Sequence, residues 1–463
     1  MSRENHSRDT RFALVDHVDL TGRNCRRHPE PFDNACMQNV KNIIPTLILT
    51  ACVSGDNLDV TDLTAAPVSA SCQPSLLRTD LPWYGDNRAT LQGWLDSRGC
   101  ASPSYHGYAK PVATFDWDNT ISKQDFGDAF TFYLIGHDKV LQPAGYDWKA
   151  TSRYMTDAGA AALAAACGTD VAPGQPLPTS SNLGCADEML SMYVNNVTRG
   201  GAVAFAGHNF RRMEPTYAWT AQLAAGYSPN EIRQMTVDAV TPQLAAPIGT
   251  TQVVGTQTVN GWLRIYDQTV DLIRAAQTRG YDTWIVTASP QYVIAAVSEL
   301  AGVPPNHVIG IRQLADGSGK LTAHIQGCGP VADGDDSMIS YIEGKRCWIN
   351  KVVFGDSTAG AIDRRPADQR QVFSAGDSDT DTEFLRDAAY RLVLNRNKAE
   401  VMCFAYHNED GNWLVNPMFI LPRARKSSLY ACSTTACVAA DGSKVPCVDE
   451  AGLVIPDQAD TVF

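Results

Sequence analysis

The sequence predicts an α/β fold, a Rossmann-like doubly wound parallel sheet with an inserted, mainly helical cap. Three observations predict it. First, short apolar runs of β type end in polar residues at three places, "PVATFDWDNT" to Thr120, "YDTWIVTASP" to Pro290 and "QVFSAGDSDTD" to Asp381, and a fourth such run, "YRLVLN", occupies 390–395. Second, the amphipathic stretch "YDQTVDLIRAAQTRG" precedes the second run and "QYVIAAVSELAG" follows it, closed by Gly280 and Gly302. Helices alternating with strands imply a parallel sheet whose ligands sit at the carboxyl ends of the strands. Third, about 160 residues separate Thr120 from Tyr281, far more than one crossover needs.

In chain order, residues 1–36 are polar and without apolar periodicity, and read as a disordered or untranslated extension. From Met37 the stretch "MQNVKNIIPTLILTAC" has one lysine and an apolar run too short to span a bilayer, the pattern of a signal peptide over 37–52. Its end, Leu49-Thr50-Ala51-Cys52, resembles the lipobox of bacterial lipoproteins, which implies lipidation at Cys52 and an anchored position in the bacterial cell envelope; a soluble periplasmic or secreted form is the alternative. Residues 53–85, rich in Ser, Asp, Thr, Pro and Ala, read as a flexible tether. The core is expected over 86–121 and 262–430, opening with a helix in "NRATLQGWLDSRG", where Leu91, Trp94 and Leu95 keep helical spacing. The cap is expected over 122–261, with helices in "DAGAAALAAAC", "CADEMLSMYVNNV" and "SPNEIRQMTVDAV". Ser289 with Pro290 reads as the start of a helix, Ser289 being its N-cap.

Thirteen cysteines are many for a reducing compartment, and ten of them follow Cys52, an even count that suits disulfides. Spacing suggests Cys167 with Cys185 and Cys328 with Cys347. Cys432, Cys437 and Cys447 form a group in a C-terminal extension, 431–463, that can also involve Cys403. The formal charge of −12 argues against nucleic acid and against an anionic membrane surface as partner, because both select clustered Lys and Arg. The nine histidines show no metal-ligand spacing and read as structural.

The strand ends place Asp116 and Asp118 one residue apart, then Thr287, then Asp377 and Asp381, with Lys345 in "EGKRCWINKVV" between the last two runs. Two carboxylates at one strand end can divide a displacement at phosphorus: one attacks, and the other protonates the leaving oxygen and later activates water. Together they would repel a phosphate, so the site calls for a divalent cation. Mg²⁺, which takes a few carboxylates plus water and substrate oxygens, suits Asp377 and Asp381. Thr287 and Lys345 would bind the remaining phosphoryl oxygens, with Lys351 a second lysine in the same stretch.

From about 110 to 400 these residues resemble the four motifs of the haloacid dehalogenase superfamily: Asp116 to Thr120 as Asp-x-Asp-x-Thr, Thr287 in "WIVTASP", Gly344-Lys345, and Gly376 to Asp381 as Gly-Asp-x-x-x-Asp. The resemblance implies that Asp116 is the nucleophile, forming an aspartyl-phosphate, and Asp118 the acid/base. It implies Mg²⁺ held by Asp116, the backbone carbonyl of Asp118 and Asp377, with Asp381 assisting directly or through water. It also implies a cap of the superfamily's first class.

Within the superfamily, "FDWDNTISKQD", "RIYDQTVDLIRAAQTRGYDTWIVTASPQYV" and "LVLNRNK" are similar to phosphoserine phosphatases and exported phosphorylcholine phosphatases. That likeness implies a small phosphorylated metabolite as partner. Asp125 either faces a cationic head group, as in phosphorylcholine, phosphoethanolamine or phosphoserine, or only caps the helix that follows. The alternatives are a phosphotransferase or phosphomutase of the same superfamily, and an exported binding lipoprotein that keeps the fold without turnover.

Overall fold

Six short apolar segments without helical periodicity pair into one sheet in the computed structural model, which describes residues 72–107 and 109–463. They are β1 (Val112–Phe115), β2 (Asp282–Pro290), β3 (Val308–Ile311), β4 (Phe373–Gly376), β5 (Tyr390–Asn395) and β6 (Trp413–Pro417). All neighbours are parallel, in the order β3-β2-β1-β4-β5-β6. Strand order therefore reverses between β1 and β4, and a doubly wound sheet opens its ligand crevice at the carboxyl ends of such a pair. Every residue of β1, β3 and β4 is buried, as expected of strands in a parallel sheet covered on both faces, and the two hydroxyls among them, Thr114 and Ser374, bond each other.

The helices follow the periodicity of the sequence. The expected lead-in helix is α1 (Asn87–Arg98), burying Leu91 and Leu95. Between β1 and β2 come α2 (Phe126–Gly136), α3 (Asp157–Cys167), α4 (Leu183–Asn195), α5 (Pro215–Gln222) and α6 (Pro229–Ala245). Then follow α7 (Asp267–Gln277), α8 (Gln291–Ala295), α9 (Glu343–Val352), α10 (Thr382–Asp387) and α11 (Ala399–His407). The insertion also holds a hairpin, Thr251–Val254 with Gln257–Asn260. A two-stranded antiparallel stalk, Ser122–Lys123 with Arg264–Ile265, marks where the chain leaves the core and returns.

Two expectations need correction. The stretch 53–85 is not tether throughout: among its described residues Cys72 is bridged to Cys100, Leu77 is buried, and the Arg78 amide donates to Asp271. One disulfide and one apolar anchor suffice to hold a strand of coil on the core. Ser289 is not a helix cap either. β2 runs on to Pro290, which itself precedes α8, and the Ser289 hydroxyl is committed elsewhere. Cys52 and the stretches 1–36 and 37–52 lie outside the described residues. Among the described residues five disulfides form, Cys72–Cys100, Cys167–Cys185, Cys328–Cys347, Cys403–Cys432 and Cys437–Cys447.

The insertion does not rest on the core through its stalk alone. Arg211 reaches across with a side chain only 12% exposed, one arm on Glu383 of α10 and the other on Glu400 of α11, both at 2.6 Å. Arg346 of α9 pairs with the second oxygen of Glu383 and with Asp387. Backbone bonds continue the seam: Glu343 N donates to Arg211 O, Ile339 N to Arg212 O, and Phe210 N to Ala440 O. Burial pushes the Glu383 carboxyl up, but Arg346, Arg386 and Arg211 outweigh it and hold it at about 2. Burial pushes Glu400, which pairs with Arg211, up to about 7.

Removing one partner of a buried ion pair leaves the other uncompensated, at a cost of about 3–5 kcal/mol. Arg211→Ala is therefore expected to lower the melting temperature far more than Arg78→Ala, whose pair with Asp80 is solvated. Equal, small shifts would show that the seam carries no load.

Candidate active site

Each strand around the switch point delivers a charged or hydroxyl side chain to one crevice. Asp116 and Asp118 follow β1, Thr287 and Ser289 lie at the end of β2, Asp377 follows β4, and Arg396 follows β5. The pairing of β2 with β3 shifts register between Val286 and Pro290, so this stretch departs from the regular ladder where it meets the site. A small cavity, about 50 Å³, opens there, lined on the core side by Asp116, Asp118, Ser289, Ser378, Thr380 and Arg396 and on the cap side by Asp125, Gly127, Tyr193, Tyr217 and Thr220.

Asp116, Asp377 and Asp381 are buried and bring one carboxylate oxygen each to within 4.8 Å of the others. Two cations face them. Lys345, buried on the first turn of α9, donates to Asp116 at 2.7 Å and to Asp381 at 2.6 Å. Arg396 donates to Asp377 at 2.7 Å, while the Thr120 hydroxyl donates to the other oxygen of Asp377 at 3.0 Å. The Asp381 carboxylate also accepts from the amides of Asp377 and Ser378. Glycine at 376 is required for this: a Cβ there would lie 2.8 Å from the Asp381 side chain.

Asp118 is held from two sides. One oxygen accepts from the Phe126 amide at 2.8 Å, and the other from the Ser289 hydroxyl at 2.7 Å, with Thr287 at 3.5 Å. Asp125 is the N-cap of α2, accepting from the Asp128 amide at 2.9 Å, and also lines the cavity. Gly127 lets this first turn approach the sheet, since a Cβ there would meet the Ser289 hydroxyl at 2.7 Å.

Burial raises these acids. It pushes Asp118 up to about 6, against the Phe126 and Ser289 hydrogen bonds. Asp116 rises well above the usual carboxylate range through burial and the neighbouring Asp381, with Lys345 opposing. Asp125 rises through burial and the charges of Asp118 and Asp128. Asp377 rises through burial, with Arg396 opposing. Lys345 moves the other way to the usual buried lysine: burial would discharge it, but Asp116 and Asp381 keep it charged. Three carboxylates thus face two fixed cations, and the group is one positive charge short. A divalent oxygen-seeking cation such as Mg²⁺ fits this donor set.

Of the residues marked in the sequence, the structure brings Asp116, Asp118, Asp125, Asp377 and Asp381 together. Thr287 and Lys345 are at the site but stand behind its acids instead of lining the cavity. Lys351 lies elsewhere, donating to Gly327 O. The sequence marks Ser289 only as a helix cap and does not mark Arg396. Both carried a signal, because Ser289 is two residues from Thr287 on the same strand face and Arg396 is the first residue past an apolar run.

Residues 201–386 match the haloacid dehalogenase-like hydrolase family, a span that holds Thr287, Lys345, Asp377 and Asp381. Among solved structures, a conserved functionally unknown protein from Anaerococcus prevotii is 18% identical with a TM-score of 0.53, covering 73% of this chain and 94% of that one. A protein of unknown function from Bordetella pertussis is 16% identical with a TM-score of 0.38, covering 66% and 98%. A phosphoserine phosphohydrolase-like protein from Francisella tularensis is 10% identical with a TM-score of 0.29, covering 61% and 87%. At 18% identity the likeness to the Anaerococcus prevotii protein is one of fold. No curated protein matches.

Lys345→Met keeps an apolar stem but leaves Asp116 and Asp381 without their cation. It is expected to lower the melting temperature in chelator much more than Lys351→Met on the same helix. Similar shifts for the two variants would deny Lys345 its place in the charge balance.

Proposed function

We propose that the chain is a Mg²⁺-dependent phosphomonoesterase of the haloacid dehalogenase type. The observation that carries this reading is the convergence of Asp116, Asp118, Asp377 and Asp381 at the switch point of a doubly wound sheet, with a cation deficit. Asp116, Asp377 and Asp381, with the backbone carbonyl of Asp118, would hold Mg²⁺, which when bound supplies charge neutralisation for an incoming phosphate. Asp116 attacks phosphorus with one carboxylate oxygen, and the bond to the ester oxygen breaks. Asp118, whose raised acidity range suits a proton donor, gives its proton to that oxygen. The same carboxylate then takes a proton from water as the water displaces phosphate from Asp116. Lys345 keeps the Asp116 carboxylate oriented throughout. Ser289 and the Phe126 amide aim Asp118, and Arg396 steadies Asp377.

The cap side of the cavity supports a reading of the substrate class. Asp125 with Tyr193 and Tyr217 offers a carboxylate and aromatic rings, a combination suited to a cationic head such as that of phosphorylcholine, phosphoethanolamine or phosphoserine. Cation–π contact of this kind contributes about 0.5–2 kcal/mol. Asp125 serves as helix cap at the same time, so the two roles coexist. Export is part of the proposal: five disulfides are consistent with an oxidising compartment, and Cys52 would carry a lipid anchor. Among the described residues no helix is long and apolar enough to cross a membrane.

Asp116→Asn is expected to abolish hydrolysis of a chromogenic phosphate ester, and chelator to silence the wild type until Mg²⁺ is returned. Wild-type turnover in either case would reject the mechanism. Asp125→Asn keeps the cap and removes the charge, so kcat/KM should fall for phosphorylcholine and stay nearly constant for a neutral aryl phosphate. An equal fall for both would leave Asp125 as cap alone.

A further inference from the structure

Far from the motifs, the C-terminal segment gathers a second set of ligating side chains. His407 closes α11, and Asn408 follows in the left-handed region at φ 44°, turning the chain back. Asp449 sits in a turn between the bridged residues Val448 and Val454, two residues after the Cys437–Cys447 disulfide that pins it. One ligand atom each from His407, Glu409 and Asp449 lies within 4.8 Å of the other two.

Two features set this group apart from a solvated acidic patch. The Asp449 side chain is only 10% exposed; its Oδ1 accepts from the amides of Ala451 and Leu453, but Oδ2 has no hydrogen bond among the described residues and faces His407 Nε2 at 3.7 Å. That gap is too long for a hydrogen bond. It is close to the roughly 3.3 Å edge of a tetrahedron built on metal–ligand bonds of about 2.0 Å. In addition, neither acid has a Lys or Arg partner among the described residues, since Arg364 and Arg386 both pair with Glu450.

We propose that His407, Glu409 and Asp449 form a second divalent-metal site, distinct from the catalytic one, that takes Zn²⁺ and fastens the C-terminal segment to α11. One imidazole nitrogen with two carboxylates is a donor set for a borderline ion, whereas Mg²⁺ selects oxygen alone. Three protein ligands leave a position for water. Glu409 is exposed, its Oε2 accepting from the Glu450 amide at 3.1 Å, and a turn of this side chain closes the remaining distance. The bound ion would tie the 449 turn to the helix whose opposite end hydrogen-bonds Asp379 through the Val401 amide, and so brace the loop that carries Asp377 and Asp381.

The test uses the full chain, stripped with chelator and returned to saturating Mg²⁺ so that the active-site carboxylates are occupied, then titrated with Zn²⁺ by calorimetry with bound metal counted by elemental analysis. One equivalent of Zn²⁺ is expected in the wild type and in Asp377→Asn, with a rise in melting temperature. That equivalent and that rise should be lost in His407→Ala and Asp449→Asn, and the affinity weakened in Glu409→Gln, whose exposed position spares the fold. The phosphatase activity of all three in Mg²⁺ should be that of the wild type. Absence of bound Zn²⁺ in the wild type, or binding unchanged in Glu409→Gln and Asp449→Asn, would overturn the proposal.

Discussion

The constraint on which the rest of the structure turns is the mutual repulsion of acids packed at one edge of a buried sheet. Asp116, Asp377 and Asp381 lie close enough to share an ion, with Asp118 and Asp125 beside them, and burial raises the energy of every additional negative charge. The fold answers with fixed cations and oriented dipoles. α9 buries its first turn to bring Lys345 between two acids, β5 ends on Arg396, and the amides after β4 are turned toward Asp381. Hydrogen bonds from the Phe126 amide and Ser289 do the same for Asp118. What remains uncompensated is the charge that a divalent cation would supply.

The same electrostatic economy extends to the cap. Its first turn is not a separate roof but part of the acid cluster, because Asp125 caps α2 and the amide of Phe126 binds Asp118. At the far side Arg211 and Arg212 seat the cap on α9, α10 and α11, the helices that carry or follow the site's charged residues. A hairpin outside the cap, Gln313–Ala315 with Leu321–Ile325, adds a further clamp, exchanging backbone bonds with Gly226 and Tyr227. The cap and the acid cluster are therefore coupled through shared residues, not merely adjacent.

The core was legible because its signals are local. Apolar runs ending in acids place β1 and β4, and amphipathic periodicity places α1, α4, α6 and α7 within a few residues of their bounds. Lys345 was legible as a charged residue of the site but not as the partner of two acids, since a lysine's contacts depend on a strand more than two hundred positions away. Ser289 departs from its local signal for a physical reason: a Ser-Pro pair suits a helix start, yet pairing in the sheet carries β2 through Pro290, which leaves Ser289 in the strand with its hydroxyl donating to Asp118. The Arg211 seam and the clamp hairpin left no trace in the sequence, because nothing local distinguishes a buried arginine from a surface one. The packed stretch around Leu77 was missed for the same reason, its polar composition hiding one anchor and one disulfide.

The central claim is that the Asp116 carboxylate becomes covalently phosphorylated. The most direct measurement is acid-quench mass spectrometry of Asp118→Asn turning over a small phosphate ester with Mg²⁺, where loss of the general base slows release of the intermediate. The account predicts one phosphoryl group on the peptide that contains Asp116, absent when Asp116 is also changed to Asn. Measurable turnover with no phosphoryl group on Asp116, or with the group on another residue, would contradict it.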